Sequence, residues 1–249
     1  SPSDGQLADP CAVEWGEKIV VFVEHYVRAR KRGQISIVEI PPLGQPSAPK
    51  CVLREEWHLS NPFVFEWNSH WWLIPESSST RRVSLYVAEN FPYNWKHQAV
   101  LIDGVNACDA TLAEIDSKWW MWVSVTSENQ DAWDEVNLYI ADTPLGPWVE
   151  HPMNPVCQDV HCSRPAGRVF FENGYWIRPA QDCSNSYGGG LRFQRIVKLN
   201  ETSYREVYAG EIQPDWRDDI CGIHAWTRVR DVTLVDAKRK KLGFQPYLP

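Results

Sequence analysis

The sequence lacks the features that mark several common function classes. None of its seven cysteines forms a CxxC pair, and there are only seven histidines, so the tight ligand spacing of a zinc site is missing. It has no basic surplus. The 25 Lys and Arg against 32 Asp and Glu give a net charge of −7, which excludes a phosphate-backbone binder that needs a basic face. The one basic run, Lys238 to Lys241, reads as a solvated strand end. No apolar run is long enough to span a membrane. A long amphipathic helical pattern is also absent. The chain opens "SPSDGQL", with neither an initiator Met nor an apolar leader. A signal peptide, if there was one, has been removed, and the expectation is a secreted or extracytoplasmic protein.

What is present is apolar and aromatic. The chain is 43% hydrophobic and carries 14 Trp, enough to bury a core. Flat aromatic faces also stack on sugar rings, so the Trp count hints at carbohydrate. In an oxidising compartment, seven cysteines without metal spacing imply one to three disulfides. Cys157 and Cys162, close in one loop, are the first expected pair.

Short β-branched and aromatic runs dominate, such as "KIVVFVE", "ISIVEI", "VSLYVAE", "MWVSV" and "VNLYIAD", bounded by Pro, Gly, Asn and Asp. They recur with a period. "ADPCAVEWGEKIVVFVE" (8–24), "SNPFVFEWNSHWWLIPE" (60–76) and "CDATLAEIDSKWWMWVS" (108–124) align residue for residue. Each places Asp9, Asn61 or Asp109 second, then a strand, a polar turn and a second strand. "SRPAGRVFFENGYWIRPA" (163–180) is a longer fourth copy opening on Arg164, and "CGIHAWTRV" (221–229) a weaker fifth. Third and fourth strands follow in "VSLYVAENFPYNW" and "VNLYIADTPLGPW". Four strands per unit of about 50 residues is the blade of a β-propeller. The expectation is an all-β, five-bladed β-propeller forming one domain over 1–249.

In such a fold the start of a blade's first strand lies beside the end of its second, at one mouth of the central channel. That explains why the first hairpin begins and ends on carboxylates. Asp9 and Glu24 become neighbours, as do Asn61 and Glu76, then Asp109 and Ser124, then Arg164 and the segment from Arg178 to Asp182. Carboxylates crowded in this way raise one another's pKa, which lets an acid and a base coexist at neutral pH.

These residues resemble a known family. "ADP" opening the first unit, Asp109 opening the third and "GIH" opening the fifth are similar to the five-bladed propeller glycosidases of glycoside hydrolase family 43. The resemblance implies that Asp9 is a general base and that Asp109 orients the acid. It also implies that His224 lies near a central ion or water, with room for a structural cation in the channel but no required cofactor. A Glu is implied at the opening of the fourth unit, where this chain has Arg164. A more specific resemblance is to the N-terminal propeller domain of glucosamine inositolphosphorylceramide transferases and related bacterial propellers. It rests on "HLSNPFVF", "IPESS", "FPYNW", "GPWVEHPMNPV", "SRPAG", "IRPAQDCSNSYGGG" and "GIHAW".

The candidate catalytic set is therefore Asp9, Asp109 and Glu76, with Glu76 in its apolar "WWLIPE" setting standing in for the missing acid. Glu24, Asn61, Arg164, Arg178, Gln181, Asp182, Tyr187 and His224 are candidate sugar-binding residues. Each has a plainer reading. Asp before Pro is common turn chemistry; strand-end acids are often solvated; Arg164 and Arg178 can pair with them as structure; His224 can be a packed histidine. Most of Trp71, Trp72, Trp119, Trp120 and Trp176 are expected between blades. Two functions follow: an inverting glycoside hydrolase acting on a polysaccharide or glycan, or a non-catalytic glycan-binding or accessory propeller. Either way the partner is carbohydrate and the chain is expected to be a monomer.

Overall fold

The computed structural model describes residues 3–126 and 134–240. The chain is all-β and winds into a propeller. Four units are four-stranded antiparallel sheets in sequence order. The first contains β1 (Gly5–Trp15), β2 (Lys18–Val27), β3 (Arg32–Ile40) and β4 (Lys50–Leu53). The second contains β5 (Ser60–Trp67), β6 (His70–Glu76), β7 (Arg82–Asn90) and β8 (Asn94–Asp103). The third contains β9 (Asn106–Ile115), β10 (Lys118–Thr126), β11 (Asn137–Ala141) and the two-residue β12 (Val149–Glu150). The fourth contains β13 (Phe170–Glu172), β14 (Tyr175–Asp182), β15 (Gly190–Asn200) and β16 (Ser203–Ile212).

The expected fifth blade is corrected: the propeller has four blades. The fifth repeat forms only a hairpin, in two short ribbons. β17 (Ile220–Gly222) pairs with β20 (Lys238–Arg239), and β18 (Trp226–Val229) pairs with β19 (Val232–Val235). The hairpin is interrupted at His224 and Asp236, and it has no outer strands among the described residues. It still fills the gap between the fourth blade and the first. Ala12 N–H donates to Thr227 Oγ1 at 3.2 Å, and Trp226 N–H donates to the Ala166 carbonyl at 2.7 Å.

Apolar clusters lie at each boundary around the ring. Val20, Phe22, Ile35, Val64 and Leu73 join the first and second blades. Phe65, Ile74, Leu112, Trp119 and Met121 join the second and third. Trp122, Leu138, Val169 and Tyr204 join the third and fourth. Leu191 with Ile223 and Trp226, and Val21 with Val229 and Leu234, seat the hairpin on its two neighbours. The second strands β2, β6 and β10 are buried on both faces along most of their length, so they read as near-continuous apolar runs, while outer strands such as β8 and β16 are mostly exposed or half-buried.

Trp72, Trp119, Trp120 and Trp122 are buried in these clusters, and Trp71 stacks on Phe91 with centroids 4.1 Å apart. The Trp richness is therefore mostly core. All seven cysteines are free; Cys157 and Cys162 face each other as two thiols 3.5 Å apart, not as the expected disulfide. Among the described residues no helix is long and apolar enough to cross a membrane.

Candidate functional site

The repeat places a special residue at one end of each of the first three channel strands. Ala8 lies opposite Glu24, Ser60 opposite Glu76 and Cys108 opposite Ser124. The next residue in each first strand is left-handed: Asp9 at φ 52°, Asn61 at φ 36° and Asp109 at φ 54°. There the register slips before pairing resumes at Cys11, Phe63 and Thr111. Asp and Asn are the side-chain-bearing residues that tolerate this conformation best. A β-bulge re-aims its side chain, and here the carboxylates turn into the channel mouth.

Each carboxylate then ties its unit to the next. Asp9 Oδ2 accepts the Asn61 N–H at 3.0 Å, Glu76 Oε2 accepts the Asp109 N–H at 3.1 Å, and Asp236 Oδ2 accepts the Asp9 N–H at 3.5 Å. Two ionic groups sit among them.

The first is Arg164. Its Nε lies 2.5 Å from Asp109 Oδ2 and its Nη2 3.4 Å from Glu76 Oε2, all three side chains being nearly sealed from solvent. Gln181 Nε2 also donates to Asp109 Oδ2 at 3.0 Å. Burial, with the charge of Asp109 next, pushes the Glu76 carboxyl well above the usual range; Arg164 opposes the shift without cancelling it. The Arg164 guanidinium lies 5.0 Å from the ring centre of Tyr187.

The second is His224. Its Nε2 is 3.0 Å from Asp9 Oδ1 and its Nδ1 2.6 Å from Asp236 Oδ2. Burial pulls the imidazole pKa down, but hydrogen bonds to Asp236 and Asp9 raise it well above its ordinary value. Burial alone would raise Asp236, yet His224 and the N–H groups of His224 and Ala225 hold it below the usual range. Asp9, His224 and Asp236 can converge on a metal ion. Both ring nitrogens face carboxylates, an arrangement that favours a protonated imidazole over a bound ion.

Glu24 completes the mouth. Burial raises its pKa, His58 Nε2 at 3.3 Å opposes this, and the charge of Asp9 adds to it. Tyr187 lies over His224, ring centres 5.4 Å apart. It is 38% exposed, and Trp57 and Trp216, on loops at this same end, are 37% and 46% exposed. The channel beneath is narrow, with about 20 Å³ free among Asn61, Thr111, Gly167 and Thr227. Larger cavities lie away from this ring, such as one of about 410 Å³ beside Tyr175 and Trp226.

Asp9, Glu24, Asn61, Glu76, Asp109, Arg164, Gln181, Tyr187 and His224 are thus brought together. Two expected binding residues are not. Arg178 is fully enclosed; it forks Glu206 at 2.5 and 2.9 Å and donates to the carbonyls of Cys162 and Ser163. It braces the segment before Arg164. Asp182 is buried and turned to its own loop, accepting from Ser184 and from Arg192 Nε at 3.1 Å. Sequence reasoning missed Asp236 and His58. Asp236 directly follows β19, the second strand of the fifth hairpin, in the place that Glu24 takes within β2 and Glu76 takes at the end of β6. The signal was present in "VTLVD", but the shortened hairpin hid it.

A family model described as "Glucosamine inositolphosphorylceramide transferase 1, N-terminal" matches residues 2–243. The chain belongs to that family. A curated relative, glucosamine inositolphosphorylceramide transferase 1 of Oryza sativa subsp. japonica, is 33% identical over 205 residues, which is 81% of this chain and 27% of that protein. The chain therefore spans under a third of the length of that relative. By shape, this family member is similar to the catalytic domain of the Coprinopsis cinerea GH62 α-L-arabinofuranosidase. The TM-score is 0.68 at 12% identity, covering 92% of this chain and 79% of that one. It is also similar to CoXyl43, a GH43 β-xylosidase/α-arabinofuranosidase from a compost metagenome, with TM-score 0.65, 14% identity, and 94% and 86% coverage. At such identities the likeness is one of fold.

Proposed function

We propose that this propeller is a glycan-recognition domain whose channel mouth binds a sugar without hydrolysing it. The observation that carries this reading is Arg164. At the fourth-unit opening, where the resemblance to family 43 asks for a carboxylic acid, a guanidinium stands between Asp109 and Glu76 and engages both. A carboxyl that must hand over a proton is poorly served by a cation at 3.4 Å, which favours its ionised form. The exposed rings of Tyr187, Trp57 and Trp216 offer faces for stacking. The five acids Asp9, Glu24, Glu76, Asp109 and Asp236 outnumber the three basic groups Arg164, His224 and His58, so the mouth favours a sugar that carries an amine. The name of the curated relatives includes such a sugar, glucosamine. No cofactor is part of this reading.

The test is calorimetry of the 249-residue chain with glucosamine-terminated, N-acetylglucosamine-terminated and uronic-acid-terminated oligosaccharides, alongside reducing-sugar release from a polysaccharide panel. Saturable binding of the amine-bearing glycan, with release at background, is expected. Turnover above background that disappears in Asp9→Asn would replace recognition with hydrolysis.

One observation favours that second reading. The Glu76 pKa is well above the usual range despite Arg164. A carboxyl whose pKa is raised in this way can serve as the general acid opposite Asp9 as base, the pair an inverting glycosidase needs. In that case Glu76→Gln impairs substrates with poor leaving groups far more than aryl glycosides.

A further inference from the structure

The segment that delivers Arg164 to the mouth runs through two thiols that the recognition reading does not use. Cys157 Sγ and Cys162 Sγ are 3.5 Å apart, at the two ends of one short loop. Each end is anchored. The Cys157 carbonyl accepts the Val136 N–H at 3.1 Å, while the N–H groups of Cys162 and Ser163 both reach the Asp159 carbonyl, at 2.9 and 2.8 Å. Ser163 Oγ lies within 3.5 Å of Cys157 Sγ, and Arg178 grips the Cys162 carbonyl at 2.7 Å. Arg164 is the next residue after Ser163.

We propose that Cys157 and Cys162 are a redox modification site, closing to a disulfide that fixes the 157–164 segment and with it the position of Arg164. A disulfide needs its sulfurs at about 2.05 Å, so closure asks for a shift of roughly 1.5 Å shared by two side chains of one loop. The roles of the two thiols differ. Hydrogen bonding from Cys162 outweighs burial and brings the Cys157 thiol down to about 7, so Cys157 is the attacking thiolate; Cys162 is pushed up and resolves.

The oxidant is a small-molecule disulfide such as oxidised glutathione. The Cys157 thiolate attacks one of its sulfurs, forming a mixed disulfide and releasing one glutathione thiolate, which takes up a proton. Cys162 then loses its proton to solvent, attacks Cys157 Sγ and releases the second glutathione. Overall, two protein thiols and one disulfide become one protein disulfide and two thiols.

The experiment equilibrates the 249-residue chain in reduced and in oxidising glutathione buffers. Peptide mass mapping and amide hydrogen exchange are then read on both samples. The expected result is a Cys157–Cys162 link that dithiothreitol reverses, with exchange across 157–164 slowed at least about tenfold, since the link removes local opening. Cys157→Ser removes both effects, and Cys51→Ser, remote from the loop, removes neither. If that variant fails to fold, differential alkylation of the unmutated chain in the two buffers still reads the link. A stalled glutathione adduct, a different pairing or no link overturns the proposal. A link that leaves exchange across 157–164 unchanged overturns its claim on Arg164. Glycan binding is not the readout, so failure here is distinguishable from failure of the recognition reading.

Discussion

Arg164 Nε lies 2.5 Å from Asp109 Oδ2, and the same guanidinium reaches Glu76 Oε2 at 3.4 Å, joining residues of the second, third and fourth blades in one buried ionic cluster. Two carboxylates this enclosed and this close repel each other and are poorly solvated. A cation between them offsets both effects. Breaking such a cluster from one side is costlier than never building it, because the remaining charges stay buried without compensation.

Arg164→Gln is therefore expected to destabilise the fold by about 3–5 kcal/mol, a melting-temperature loss of roughly 10 °C. The loss depends on pH. Without Arg164 the folded-state pKa of Glu76 rises further. A carboxyl whose folded pKa exceeds its unfolded one loses stability as pH rises through the folded value. The deficit should thus be larger at pH 8 than at pH 5. Thermal melts across that range test it. A variant as stable as the parent at pH 8 would make Arg164 a surface ligand group and not a structural ion.

Glu76→Gln probes the same cluster with the opposite sign. In the parent, burial and Asp109 raise the Glu76 pKa, so its ionisation at neutral pH works against folding. Glutamine imitates the protonated form and keeps an oxygen for the Asp109 N–H. The variant should lie nearest the parent at pH 4, close to the unfolded pKa of about 4.3, and gain on it as pH rises. Every unit of pKa elevation is worth about 1.4 kcal/mol. Denaturant midpoints compared at pH 4 and pH 8 give the answer. A variant that falls further behind at high pH would mean that Arg164 attraction exceeds the burial penalty.

The openings at Asp9, Asn61 and Asp109 were legible because one physical demand repeats: a left-handed residue at a bulge, satisfied by Asp or Asn, at a fixed distance from a strand end. Their convergence on one mouth followed from antiparallel hairpins. Arg178 was misread for a reason no spacing reveals. It lies in a strand whose other end does reach the mouth, but its partner Glu206 comes from β16, and only packing shows that this fork is enclosed. The fifth blade failed because its repeat resembles the others only around His224. Directly after Val235 the chain turns charged, in "DAKRKK", and the described residues there form only the two-residue β20. Asp236 was hidden by the same shortening. His58 enters from a loop, where no period applies.

His224 should stay protonated above neutrality, because Asp9 and Asp236 flank its two ring nitrogens. A histidine whose folded pKa is raised contributes stability fully below its unfolded pKa of about 6.5 and loses it as pH rises through the folded value. Asp236, held low, contributes above about pH 4 and loses its share in acid. The link between the hairpin and the first blade should be firmest between those limits. Imidazole ¹⁵N shifts of His224 at pH 7.5 should report both nitrogens protonated. A neutral ring at that pH would mean that burial prevails over the two carboxylates. Chelators should leave the melting temperature unchanged, because the imidazolium takes the place that a metal would fill.

Asp9 carries three duties at once: the left-handed bulge, the acceptor for Asn61 N–H at 3.0 Å, and the counter-charge for His224 at 3.0 Å. Two substitutions separate them. Asp9→Asn keeps a residue that tolerates positive φ and an oxygen for the Asn61 N–H, and removes only the charge. It should fold, with the His224 pKa lowered. Glu24 and Glu76 should also titrate lower, because the Asp9 charge contributes to raising both. Asp9→Ala additionally strains the bulge, by about 1 kcal/mol, and leaves a buried N–H without its acceptor, by about 1–3 kcal/mol. Alanine should therefore be the less stable variant by about 2 kcal/mol or more. Equal losses in the two would reduce Asp9 to a charge and remove the bulge from the account. In glycan titrations both variants should lose affinity for an amine-bearing sugar, the asparagine form by its missing charge alone.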